Sequence, residues 1–225
     1  MIELERLIQA VTDDGARPRW LALIGDIVGS RQLANRGEVQ RNLREVLERL
    51  NRRSLPLSPY TITLGDEFQA VHGRAEAVFC DACRVWAALA PVRVRFAIGV
   101  GTLSTPINRQ AALGMDGPAF YRARDGIERL KHSGYLLDVF LPDDARIPLL
   151  HNSLHIFSET CQRWRRSRFE VLARLYEGAP VSQIAAELGM SEQAVYKNID
   201  YGDLRLWLAV FEETVALLDD VVEGR

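Results

Sequence analysis

Apolar residues recur along this chain at two periods. Residues 20–28 form a nearly continuous apolar stretch, as expected of a strand buried on both faces. Between residues 38 and 50, Val39, Leu43, Val46, Leu47 and Leu50 return at helical spacing with Arg and Glu between them, which predicts an amphipathic helix. The Pro56 to Pro59 stretch stops it. Residues 60–64 and 68–71 read as short strands around a Gly65-Asp66 turn, a hairpin signal. Residues 75–89 read as a second helix. Val92, Val94, Phe96, Ile98 and Val100 alternate along residues 91–101, the clearest strand in the sequence. A loop from Gly114 enters a helix reaching Lys131, and residues 135–141 read as a last strand. Everything from Leu149 onward has a helical pattern, and residues 1–19 read as a short leading helix and loop.

The order is therefore β-α-β-β-α-β followed by α-β, the split βαβ or ferredoxin-like arrangement of an α+β domain. The right-handed crossover rule places the first strand beside the third, with helices on one face. Pro142-Asp143-Asp144 ends this region. The expected division is a leading helix over 1–19, a sheet domain over 20–148 and an all-α domain over 149–225.

Composition changes this picture only by exclusion. The 225 residues carry 28 Lys and Arg against 30 Asp and Glu, a net charge of −2, and are 48% hydrophobic. These are globular values, so a disordered chain, a coiled-coil rod and a bulk polyanion binder are excluded. Met1 to Leu7 is amphipathic, without the basic and apolar regions of a signal peptide, and no stretch approaches the length of a membrane span. Three cysteines are too few for a disulfide framework, which points to a reducing cytoplasm. Cys80-Asp81-Ala82-Cys83 lies within a helical pattern and reads as two small apolar side chains one turn apart.

Candidate chemistry gathers at one sheet edge. Asp26 ends the first strand in Ile24-Gly25-Asp26-Ile27-Val28-Gly29-Ser30, and Asp66 occupies the hairpin turn in Leu64-Gly65-Asp66-Glu67-Phe68. The expected topology brings these segments together. Clustered carboxylates repel and so cost stability, but they suit Mg²⁺ (or Mn²⁺), which takes oxygen ligands and bridges to substrate phosphates. Asp26, Asp66 and Glu67 are the candidate metal ligands. Gly25 and Gly65 leave room for close approach, and the backbone of Ile27, Gly29 and Ser30, followed by Arg31, offers a place for a triphosphate. Read singly, Asp26 is also consistent with a loop cap and Gly65-Asp66 with an ordinary hairpin turn.

These segments resemble known families. Residues 25–30 are similar to the first metal-binding strand of class III nucleotidyl cyclases, and residues 64–68 to their hairpin and to the signature of diguanylate cyclases. Together with residues 94–101 and 113–124, they resemble the bacterial SatD family across about residues 20–141. The resemblance implies a palm-like domain that binds a nucleoside triphosphate or cyclic nucleotide through metal on Asp26, Asp66 and Glu67. If catalytic, it would form a phosphodiester with loss of pyrophosphate. It also implies a homodimer. The cyclase lysine that reads adenine falls on Ile62. The later helix carries Tyr121 and Asp125, or Phe120, where cyclases have asparagine and arginine. Diguanylate cyclases have glycine in place of Leu64. Base identity and cyclisation therefore do not carry over. Arg122 and Arg124 are candidates for phosphate charge from another register, Arg124 as a catalytic residue. Lys131 reads as solvated surface, and Asp116 as a cap for the helix after Pro118.

Residues 181–196 resemble the helix-turn-helix of bacterial regulators. Ala185 allows close packing, Gly189 takes the turn, Ser191 caps the second helix and Val195 packs inward. A recognition helix would present Gln193, Tyr196, Lys197 and Asn198 to double-stranded DNA, with Arg166 of the cluster Arg163, Arg165, Arg166 and Arg168 on phosphates. From residue 151 onward, however, eight Lys and Arg stand against twelve Asp and Glu. A helical bundle used only for association is the competing reading, with Leu206, Val210, Phe211, Val215 and Leu218 on the apolar face of the last helix. The composite expectation is a nucleotide-binding regulator. The alternative is a transcription regulator whose palm-like domain is catalytically inactive.

Overall fold

The computed structural model describes residues 18–63, 65–142 and 147–224. The expected leading helix, Leu64 and the acids of the Pro142-Asp143-Asp144 turn lie outside them. Five strands, β1 (Trp20–Ile27), β2 (Ser58–Ile62), β3 (Glu67–His72), β4 (Val94–Gly101) and β5 (Leu137–Phe140), form one sheet in the order β2-β3-β1-β4-β5. β1 is antiparallel to both β3 and β4, β2 is antiparallel to β3, and β5 is parallel to β4.

Helices cover both faces of this sheet. On one face lie α1 (Arg36–Arg53), through Val39, Leu43, Val46, Leu47 and Leu50, and α2 (Glu76–Leu89). They share a core with Leu21, Leu23 and Ile27 of β1. On the other face, α3 (Pro118–Ser133) packs Ala119, Phe120, Ala123, Ile127 and Leu130 against Ala22 and Ile24. This corrects the expectation of helices on one face. The apolar residues of β1 alternate between the two cores, so both faces demand cover. Gly99 lets α3 lie directly on β4. A Cβ there would collide with the Ala119 carbonyl oxygen and the Ala123 nitrogen.

The helices α4 (Ile147–Cys161), α5 (Arg166–Tyr176), α6 (Val181–Leu188), α7 (Glu192–Tyr201) and α8 (Leu204–Glu223) follow. Their core is continuous with that of the sheet. Trp86 of α2 packs against Phe96 of β4, Phe157 of α4 and Phe169 of α5. Phe157 in turn meets Trp164, Trp207 and Phe211 edge-on. In α8 the buried face is Leu204, Trp207, Phe211, Thr214, Leu218 and Val221. Leu206, expected on that face, is exposed, because Trp207 sets the register by packing on Phe157.

Both outer strands are engaged by side chains. Asn51 of α1 donates to the Tyr60 carbonyl at 3.0 Å and accepts from the Tyr60 N–H at 2.7 Å. At the other margin, Ser158 Oγ of α4 accepts from the N–H groups of Leu136 and Leu137 at 3.1 and 3.2 Å.

Cys80, Cys83 and Cys161 are buried free thiols. Burial pushes the Cys80 and Cys161 thiols up to about 12, so they pack as small hydrophobes, as their helical setting suggests. No helix among the described residues is long and apolar enough to cross a membrane.

Candidate metal and phosphate site at the sheet edge

β1 carries its polar residue at its last turn of pleat. Asp26 stands opposite Glu67 of β3 and Arg95 of β4 in the strand register. Directly opposed residues on neighbouring strands share a face, so a carboxylate, a second carboxylate and a guanidinium are aligned across three strands. This is the face covered by α3, which adds Arg124.

Backbone turns bring Asp66 to the same place. Gly65 has φ 63°, in the left-handed region that glycine adopts without strain. The Asp66 carbonyl accepts from the Ile27 N–H at 3.2 Å, and the Gly65 carbonyl accepts from Gln40 Nε2 of α1 at 3.0 Å. After β1, Gly29 is likewise left-handed at φ 64° and starts a single 3₁₀ turn, Ser30–Gln32. That turn aims the Ser30 hydroxyl at the Asp66 carboxylate, to which it donates a hydrogen bond.

Each acid thus has its own partner. Asp26 Oδ2 accepts from Arg95 Nη1 at 2.9 Å. Glu67 Oε1 accepts from Arg124 Nη1 at 2.6 Å and from the Thr63 hydroxyl at 3.2 Å. Burial pushes the Asp26 carboxyl above its ordinary value, against the opposing pull of Lys131 and Arg95. Lys131 is held charged by its bond to Glu128 and by the fields of Asp26 and Glu67. Its Nζ donates to Glu128 on the same helix at 2.8 Å, as expected of the solvated face of α3. The Nε of Arg95 is buried without a hydrogen-bond partner. An unsatisfied buried donor costs about 1–3 kcal/mol, more when charged.

Of the sequence candidates, Asp26, Asp66, Glu67, Ser30 and Arg124 lie along this edge, Ser30 on Asp66 and Arg124 on Glu67, but ligand atoms of the three acids do not all lie within 4.8 Å of one another. The Ile27 side chain is in the core and its N–H is taken by Asp66. Arg31 is exposed beside this edge. Arg122 is elsewhere. It donates to the Val100 carbonyl at 2.8 Å, and Val100 pairs with Leu21 at the far end of β1. Positions two apart on a helix point about 200° apart, so Arg122 and Arg124 diverge. Ile62 of β2 pairs with Phe68 of β3, and Tyr121 donates to Asp116 at 2.8 Å. Asp116 is therefore a partner of Tyr121 and makes no cap; Gly117 occupies that position. Arg95 was missed by sequence reading, although its polar position inside an alternating strand was visible.

At the other end of the chain, α6 and α7 are joined by Gly189-Met190-Ser191. Gly189 is left-handed at φ 62°, and the Ser191 hydroxyl accepts from the Ala194 N–H at 3.2 Å. Gln193, Tyr196 and Lys197 are exposed, whereas the Asn198 amide donates to the Ala194 carbonyl. Arg166 pairs with Glu170, and Arg168 lies over the Trp164 ring.

A family model described as SatD family matches residues 20–218. Among solved structures, a bacterial light-regulated adenylyl cyclase is similar at TM-score 0.40 and 13% identity, over 54% of this chain and 75% of that one. No match was found among curated proteins.

Proposed function

The chain belongs to the SatD family, and on that footing we propose that its sheet edge binds the phosphates of a nucleotide together with a divalent cation. The carrying observation is Arg95, whose buried Nε lacks an acceptor while its Nη1 is paired with Asp26. A phosphate oxygen is an acceptor of the required charge and geometry for a guanidinium. Asp26 and Asp66 supply an all-oxygen donor set of the kind Mg²⁺ or Mn²⁺ accepts, with Glu67 beside them. Such an ion neutralises phosphate charge and, in phosphoryl transfer, stabilises the departing oxygens. Arg95 and Arg124 then exchange carboxylate partners for phosphate. This is the palm-like, cyclase-like reading of the ferredoxin-like element order. Binding without turnover would make the domain a nucleotide sensor.

The test is titration of the full chain with each nucleoside triphosphate, with and without Mg²⁺ or Mn²⁺, followed for binding and for pyrophosphate release. Asp66→Asn, at a half-exposed turn position, is expected to weaken cation-dependent binding by at least about tenfold, or ~1.4 kcal/mol. Absence of cation-dependent binding for every nucleotide would overturn the reading. Pyrophosphate release would establish an enzyme.

A second function, duplex DNA binding through α6 and α7, is favoured by the three-residue turn, the Ser191 cap and the exposed Gln193, Tyr196 and Lys197. Lys197→Ala is expected to weaken duplex binding and to lower its salt slope by about one unit. Binding that does not respond to salt would count against it.

A further inference from the structure

Asp138, His151 and His155 form a second polar cluster, separate from the carboxylates of β1 and β3. Asp138 lies on β5, and the histidines lie four residues apart on α4, so successive turns present both imidazoles to the same strand. Nδ1 of His151 is 2.5 Å from Asp138 Oδ1, and Nε2 of His155 is 2.8 Å from Oδ2. One ligand atom from each residue lies within 4.8 Å of the other two.

The surroundings hold these groups in place. The His155 ring stacks on Tyr135 at 4.0 Å between centroids and 15° between planes. Phe140 lies 5.8 Å from the His151 ring. Oδ1 of Asp138 also accepts from the Val139 N–H at 2.8 Å, which fixes the carboxylate. Asp138 is buried, and the histidines are partly so. Both oxygens of the one buried carboxylate thus face an imidazole nitrogen. A divalent cation held by all three residues would pair its charge with that buried carboxylate.

We infer that Asp138, His151 and His155 bind a divalent transition ion of the zinc class, which clasps the outer strand β5 to α4. Two imidazoles and one carboxylate suit zinc and its neighbours, whereas Mg²⁺ and Ca²⁺ take oxygen sets. Three protein ligands leave a coordination position for water at the partly exposed side. The inference does not depend on nucleotide binding at the β1 edge, and its ion is of a different class.

The experiment is calorimetric titration of the chelator-treated full chain with Zn²⁺, Mn²⁺ and Mg²⁺. X-ray absorption at the zinc edge of the loaded protein is recorded alongside. One Zn²⁺ per chain is expected, with imidazole nitrogens in its first shell. His151→Ala should weaken it by at least about 100-fold, since even an outer-shell change at a metal site costs 10–100-fold. Asp66→Asn should leave Zn²⁺ binding in place. Folding of each variant is checked by circular dichroism. If His151→Ala does not fold, the absorption spectrum of the unsubstituted protein decides. A first shell without imidazole, zinc affinity unchanged in folded His151→Ala, or no zinc binding at all would overturn the inference.

Discussion

Phe157→Ala is expected to lower the unfolding free energy by about 3–5 kcal/mol, a large part of the 5–15 kcal/mol typical of a whole domain. Phe157 is completely buried on α4 and touches Trp86, Trp164, Trp207 and Phe211. These rings come from α2, from the segment before α5 and from α8. Removing the central ring leaves a cavity bounded by large, stiff side chains from different layers, and such a site collapses poorly. The loss should also appear in one transition. Because the aromatic array runs from Phe96 of β4 into α8, sheet and helices share their core, and neither can open without exposing the other's rings. Denaturant unfolding followed by far-ultraviolet circular dichroism and by tryptophan fluorescence should give coincident midpoints in both proteins. Separated transitions would show that the C-terminal helices fold as an independent unit.

Arg95→Met should cost about 3 kcal/mol, and Asp26→Asn in the same chain should recover much of the loss. The Asp26 and Arg95 side chains are only 12% and 14% exposed, so removing the guanidinium leaves an uncompensated buried carboxylate. Adding Asp26→Asn deletes that charge, and the difference between the single and double variants measures the coupling. The pH dependence has a definite sign. Asp26 is already raised above its unfolded value by burial, so its contribution to stability is full at acidic pH and falls as pH rises through the folded value. Arg95→Met removes an attraction that lowers this value, raising it further and steepening the fall. A double variant no more stable than Arg95→Met at neutral pH would mean that the pair contributes through packing rather than charge.

Much of this was readable beforehand, and the rest was hidden for identifiable reasons. The alternation from Val94 to Val100 announced β4, and the spacing of Val39, Leu43, Val46, Leu47 and Leu50 announced α1, since each pattern repeats with the period of its element. Asp26 and Asp66 were legible as a pair because a hairpin turn and a strand end are local features. Their surroundings depend on register, which local sequence does not carry. That Glu67 rather than Asp66 stands opposite Asp26, and that Arg95 completes the row, follows only from how three strands align. Arg122 and Arg124 are both sequence candidates for phosphate charge, Arg124 as the catalytic one, yet helical rotation sends one to Val100 and the other to Glu67. His151 and His155 carried a sequence signal, a four-residue spacing on a helix. Asp138, which gives that spacing a target, comes from a strand whose place depends on the β4–β5 crossover.

Asn51 and Ser158 bear on how copies of the chain could meet. Unpaired N–H and carbonyl groups along an outer strand are templates for another chain, and they invite growth of the sheet from molecule to molecule. Here the amide of Asn51 takes both backbone groups of Tyr60, and the hydroxyl of Ser158 takes two N–H groups leading into β5. At these positions side chains stand where a sixth or seventh strand would begin. A strand approaching either margin at these positions would first have to displace Asn51 or Ser158 from the backbone.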